Sequence, residues 1–219
     1  MKVLRAVIFD MDGVLVNSEP LYHLSDKKMF DRLGIPFTHE DVKGLVGVNS
    51  TEGARGILAR HPQLTLSVSQ LDAIYKDSLF EALSTNDDLC LIAGVLDWIR
   101  RLKNDGFALA VASSSTAPMV AYIMERFGLN EYMGAVINGG MVEFAKPAPD
   151  IFLKAARAIT AKPENCVVIE DSTNGIAAAR AAGMKCLAYT GANVHGLDNS
   201  GADAHFDEYS NENYERFFR

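Results

Sequence analysis

The sequence predicts an α/β protein: a doubly wound, mostly parallel sheet with a small helical cap inserted after the first strand. Three observations lead there. The run Ala6-Val7-Ile8-Phe9 is short, β-branched and aromatic, as a strand buried on both faces should be. Beyond residue 85, strand-like and helix-like segments alternate, the pattern of a parallel sheet with crossover helices. Between them, from about Glu19 to Leu83, the pattern is almost wholly helical. A first strand without a neighbour must join the later sheet, so the helical stretch is an insertion. The division expected is a core of residues 1–15 and 86–219 and a cap of residues 16–85.

In the cap, Leu21, Leu24 and Met29 fall near helical spacing, and Gly34 followed by Pro36 ends that helix. Thr38 with Asp41 is a capping pair for a second helix. Asn49 or Ser50 can cap a third through Leu58, and Ser67 can start a fourth toward Leu83. In the core, Val95–Lys103 reads as a helix and Ala108–Ala112 as a buried strand. Pro118–Phe127 reads as a helix stopped by Gly128, and Ala135-Val136-Ile137 as a short strand. Asp150–Ile159, Cys166–Ile169, Thr173–Ala182 and Cys186-Leu187-Ala188 continue as helix, strand, helix, strand. Asn211–Arg219 carries only a weak helical pattern.

At 219 residues the chain can bury a sizeable core. Its net charge of −7 argues against a general nucleic-acid binder, which needs a basic face. It leaves room for a phosphate substrate, because local cations can override the global field. No apolar run is long enough to span a membrane, and the N-terminal one, interrupted by Arg5 and ended by Asp10, does not read as a signal peptide. Cys90, Cys166 and Cys186 are odd in number and match no zinc spacing, which fits a reducing cytoplasm. A monomer is the default.

The chemistry concentrates at expected strand ends, which gather into one crevice in an open parallel sheet. Asp10 and Asp12, two residues apart at the end of the first strand, point to the same side, and Gly13 lets the chain turn just beyond them. Two crowded acids suit a hard metal ion, a carboxylate nucleophile or an acid/base pair. Ser113-Ser114-Ser115 follows the second strand, Glu170-Asp171 follows Cys166–Ile169, and Lys146 sits in a loop before Pro147. Asp10 and Asp171, with a backbone carbonyl near Asp12, can hold Mg²⁺. Ser113 offers a hydroxyl and nearby N–H groups to phosphate oxygens, and Lys146 a point positive charge. Such a set suits phosphoryl transfer, which needs positioning and charge neutralisation.

Four motifs together resemble the haloacid dehalogenase superfamily. They are Phe9-Asp10-Met11-Asp12-Gly13-Val14-Leu15, Val111-Ala112-Ser113-Ser114-Ser115, Lys146-Pro147-Ala148-Pro149-Asp150-Ile151-Phe152, and Val168-Ile169-Glu170-Asp171-Ser172 continuing through Asn174-Gly175-Ile176 and Ala182-Gly183-Met184. Glu19-Pro20-Leu21 resembles the start of the cap in the β-phosphoglucomutase-like branch. The resemblance implies a Mg²⁺-dependent phosphatase acting on a small phosphorylated metabolite, a sugar phosphate by class. Asp10 is then the nucleophile that forms an aspartyl-phosphate, and Asp12 the acid and base. Ser113, Ser114, Lys146 and Asn49 bind substrate. Asp10, Asp12, Glu170 and Asp171 form the metal site, with Glu170 either a ligand or a partner of one. Gly44, Gly47 and Asn49 form a loop over the site, with Tyr22 and His23 near the hinge, and closure excludes water.

Dehalogenases of this superfamily lack the second aspartate, so Asp12 favours phosphate chemistry. A sugar phosphomutase is the alternative. Its relatives carry an Arg where this chain aligns Ser50 and a Lys where it has Thr116, and Arg55 or Lys76 would have to replace that clamp. Two non-enzymatic alternatives are a receiver-like signalling domain and a degenerate binding protein that has kept only the fold.

Overall fold

The computed structural model describes residues 5–38, 40, 41, 45, 50–191 and 198–219. Asn49, Gly44 and Gly47, named above for the loop over the site, lie outside the described residues. The chain forms two compact units, residues 1–17 with 90–219 and residues 18–89, with junctions a few residues later than the sequence reading placed them.

The larger unit holds a six-stranded, all-parallel sheet. Its strands are β1 (Ala6–Phe9), β2 (Ala108–Ala112), β3 (Ala135–Ile137), β4 (Cys166–Glu170), β5 (Lys185–Tyr189) and β6 (Ala204–Phe206). The spatial order is β3-β2-β1-β4-β5-β6. β1 lies centrally, Ile8 opposite Ala110 on one side and Val168 on the other, which is why all four of its residues are buried. The chain winds outward from β1 first through β2 and β3, then through β4, β5 and β6. The direction switches at β1 and β4, and the crevice beyond their carboxyl ends is the natural ligand site. A receiver-like sheet has the order 2-1-3-4-5, so this topology excludes that alternative.

The helices of this unit are α4 (Val95–Asn104), α5 (Ala117–Arg126), α6 (Asp150–Ala158), α7 (Thr173–Ala181) and α8 (Asn211–Phe218). Apolar stripes at helical spacing are buried, Val95, Trp98, Ile99 and Leu102 on α4 and Ile151, Phe152, Ala155 and Ala156 on α6. The α6 and α7 stripes pack with Ile8, Ala110, Val168 and Cys186 in one core cluster. The three cysteines are free thiols, Cys166 and Cys186 buried and Cys90 exposed.

Two C-terminal features depart from the sequence reading. β6 was not anticipated: this three-residue edge strand has the exposed His205 between Ala204 and Phe206, so it lacks the continuous apolar run that marks β3. α8 is a full helix, capped by the Ser210 hydroxyl, which accepts from the Asn213 N–H. It buries Tyr214 completely.

The smaller unit contains α1 (Glu19–Leu33), α2 (Ser50–Arg60) and α3 (Val68–Ser84), packed around Met29, Phe30, Ala54, Ile57 and Leu71. Ser67 and Gln70 make a reciprocal capping box that starts α3. The Thr38 hydroxyl accepts from the Asp41 N–H, and the Asp41 carboxylate accepts from the Thr38 N–H. Lys28 pairs with Glu81 at 2.7 Å, tying α1 to α3. His23 is exposed on α1, its ring 5.7 Å from that of Phe37. No helix among the described residues is long and apolar enough to cross a membrane.

Candidate active site

Asp10 directly follows β1, where its N–H donates to the Ile169 carbonyl of β4 at 2.9 Å. This bond fixes the acid at the switch between the two halves of the sheet. The Lys146 ammonium stands 2.5 Å from Asp10 Oδ1 and 2.7 Å from Glu170 Oε1, bridging the ends of β1 and β4. All three side chains are nearly inaccessible, and the Lys146 Nζ also lies 4.8 Å from the centre of the Phe152 ring. Burial works against the Lys146 ammonium, but Asp10 and Glu170 more than compensate and hold its pKa above the ordinary lysine value.

Glu170 has spent both oxygens. Oε1 takes Lys146, while Oε2 accepts from the N–H groups of Asp171 and Ser172, each at 2.7 Å, and from the Ser172 hydroxyl at 3.0 Å. Ser172 in turn caps α7, accepting from the Gly175 N–H at 3.1 Å. Glycine is required at 175: a β-carbon there would lie 1.6 Å from Glu170 Oε1. These bonds make Glu170 an anchor for Lys146 and for the loop carrying Asp171.

Gly13 has φ +74, and a β-carbon on it would stand 2.0 Å from Asp171 Oδ2. Only glycine combines that backbone with that approach, and it lets the loop after β1 close against the acid after β4. Asp12 Oδ2 accepts from the Ser115 hydroxyl at 2.7 Å and lies 3.5 Å from the Ser113 hydroxyl. Ser113 is fully buried, and its Oγ accepts from the Ser115 N–H at 3.0 Å. Ser114 is exposed, its carbonyl pressed against Gly139. The hydroxyl that reaches Asp12 is therefore that of Ser115, which the sequence reading did not single out. The signal was present: positions 113 and 115 share a side of an extended chain, and 114 faces away.

Desolvation raises the Asp10 pKa to about 7, with Glu170 and Asp12 adding to the rise and Lys146 opposing it. Asp171 is pushed up to about 9, again by burial first and then by Glu170 and Asp10. Four carboxylates thus share one ammonium, an excess of negative charge that calls for a further cation. No three metal-binding side chains among the described residues form a ready cage. Mg²⁺ fits this charge excess, because it takes one or two carboxylates and completes its shell with water and substrate phosphate. With Glu170 engaged, Asp10 and Asp171 are the oxygen donors that fit it.

A haloacid dehalogenase-like hydrolase family model matches residues 4–183. The chain is 30% identical over 185 residues to a phosphorylated carbohydrates phosphatase of Thermotoga maritima, covering 83% of each chain. It is 31% identical over 188 residues to the β-phosphoglucomutase of Bacillus subtilis, covering 83% of this chain and 81% of that one. Its fold matches the crystal structure of a mutant CbbY from Rhodobacter sphaeroides in complex with xylulose-(1,5)bisphosphate. There the TM-score is 0.81 at 27% identity, over 95% of this chain and 96% of that one. The chain belongs to the haloacid dehalogenase-like hydrolases. A phosphatase and a phosphomutase both stand among its relatives.

Proposed function

We propose that the chain hydrolyses a small phosphomonoester, a sugar phosphate by class, through an aspartyl-phosphate on Asp10. The observation that carries this reading is the Lys146 bridge between Asp10 and Glu170, with Asp12 two residues on and tethered to Ser115. An Asp10 carboxylate oxygen attacks phosphorus, forming an O–P bond while the bond to the ester oxygen breaks. Asp12 gives its proton to the departing oxygen. It then takes a proton from the water that attacks phosphorus, and the Asp10 O–P bond breaks to release phosphate. Lys146 offsets the repulsion between the attacking carboxylate and the anionic phosphoryl group, and the Ser113 hydroxyl and neighbouring N–H groups hold its oxygens. Asp10 and Asp171, with the Asp12 carbonyl, would hold Mg²⁺, whose charge neutralises the phosphate oxygens. Glu170 acts as a positioning residue.

The smaller, helical unit serves as the cap that selects the leaving group. A monomer in a reducing cytoplasm belongs to the same reading, and three free thiols suit that compartment.

The test is Mg²⁺-dependent phosphate release across a panel of sugar phosphates and other small phosphomonoesters, with Asp10→Asn beside the native chain. Release by the native chain should fall by roughly 10³-fold or more in the variant. Equal release by both would refute Asp10 as nucleophile. Isomerisation of hexose monophosphates with little phosphate released would replace the phosphatase with the mutase.

A further inference from the structure

We propose that Tyr209 is a positioning residue for the nucleophile loop: its hydroxyl, from the C-terminal segment, fixes the backbone on which Asp10 and Asp12 are carried. The inference rests on the phosphatase reading above. The Tyr209 hydroxyl donates to the Val14 carbonyl at 3.0 Å, a buried bond across 195 residues of sequence. Val14 is fully buried and stands two residues beyond Asp12. The loop's own hydrogen bonds use other groups: the N–H groups of Val14, Leu15 and Val16 donate to the Met11 carbonyl, and that of Gly13 to Val16. The Val14 carbonyl is thus the group through which this turn is tied to Tyr209. A loop that closes Gly13 against Asp171 and hangs Asp12 on Ser115 has little freedom to move without moving both acids.

The tyrosine is itself held rigidly. Its ring lies 4.9 Å from Trp98 edge to face, 4.9 Å from Tyr189 in a stack and 5.1 Å from Phe206. Its backbone is fixed on both sides. The Tyr209 carbonyl and β-carbon press on Gly94, which a β-carbon there would meet at 2.6 and 3.0 Å, and the Trp98 indole N–H donates to the Ser210 carbonyl at 3.0 Å. Burial, then Tyr189 and the charges of Asp171 and Asp10, hold the phenol well above its ordinary pKa, so it stays a donor. A rigid donor aimed at one carbonyl of a catalytic loop is how such a loop is held in a reactive geometry.

The experiment compares Tyr209→Phe with Tyr214→Phe. Tyr214 belongs to the same aromatic cluster, but its hydroxyl donates to Asp105 at 2.7 Å, away from the loop. Both variants keep the ring. Phosphate release should show kcat lowered about 10-fold or more in Tyr209→Phe with KM within about 3-fold of native. Tyr214→Phe should keep kcat and lose only thermal stability. Hydrogen exchange of residues 11–16 should lose protection in Tyr209→Phe alone. Unchanged kcat in Tyr209→Phe, or equal losses in both variants, would overturn the proposal whatever the exchange shows. If the native chain releases no phosphate, the phosphatase reading falls. Exchange then decides alone whether Tyr209 holds the loop, and unchanged protection refutes it.

Discussion

Gly175→Ala pits two effects of opposite sign against each other. Gly175 lies in α7, so helix propensity alone predicts that alanine stabilises by about 1 kcal/mol. The structure predicts the reverse. The new β-carbon would lie 1.6 Å from Glu170 Oε1, 1.9 Å from Cδ and 2.5 Å from Oε2, so the whole carboxylate must leave. Its departure breaks the 2.7 Å pair with Lys146 and the bonds from Asp171 N–H, Ser172 N–H and the Ser172 hydroxyl. Breaking a buried pair costs about 3–5 kcal/mol. Set against the helix gain, the net loss is about 2–4 kcal/mol, or roughly 5–15 °C in Tm for a chain of this size. Activity should fall with it, because Lys146 loses its second anchor. Thermal unfolding and phosphate release, measured for Gly175→Ala, Glu170→Ala and the double variant, separate the contributions. With Glu170 truncated, alanine at 175 should become neutral or stabilising. A Gly175→Ala protein with raised Tm and native kcat would refute the Glu170 placement and the anchor role built on it.

Two further predictions concern the acids. Ser115→Ala removes the 2.7 Å donor to Asp12 and should lower kcat about 10-fold with little change in Tm, measured by phosphate release and thermal unfolding; native kcat would show that Asp12 needs no tether. In EDTA, Tm should fall as pH rises from 5 to about 9. The folded chain then holds protons that the unfolded chain has released, an advantage complete below 3.8 and lost above about 7 for Asp10 and about 9 for Asp171. Added Mg²⁺ should therefore raise Tm more at pH 8 than at pH 5, and a pH-independent gain would count against these acids as its ligands.

What the sequence revealed follows from the range of the forces involved. The central strand was legible because burial on both faces leaves four consecutive apolar residues, Ala6 to Phe9. The acids at its end were legible because strand ends are where an open sheet gathers chemistry. Cap helices announced themselves through local bonds such as the Ser67–Gln70 box. What escaped depends on partners distant in the chain. Nothing near Tyr209 signals that it serves Val14, and α8 looks weak because its stability comes from docking Tyr214 beside Trp98 rather than from its own pattern. Glu170 read equally well as ligand or anchor until its two oxygens were seen to be taken.

The cap bears on phosphatase against mutase. A mutase must hold a bisphosphate at both ends, so it needs a second cationic clamp. Of the cap residues considered for that role, Lys76 gives its ammonium to Asp72 Oδ2 at 2.6 Å, one turn away on α3. The Asp72 carboxylate is held below its ordinary pKa although burial opposes this, because the bond from Lys76 favours its charged form. Lys76 is therefore engaged with an internal anion instead of standing ready for a substrate's second phosphate. To recruit Lys76, a bisphosphate would have to displace Asp72 and leave that carboxylate beside its own charge, a cost that a substrate with a single phosphoryl group never meets. The Lys76–Asp72 pair thus weighs against Lys76 as the second clamp that a mutase needs.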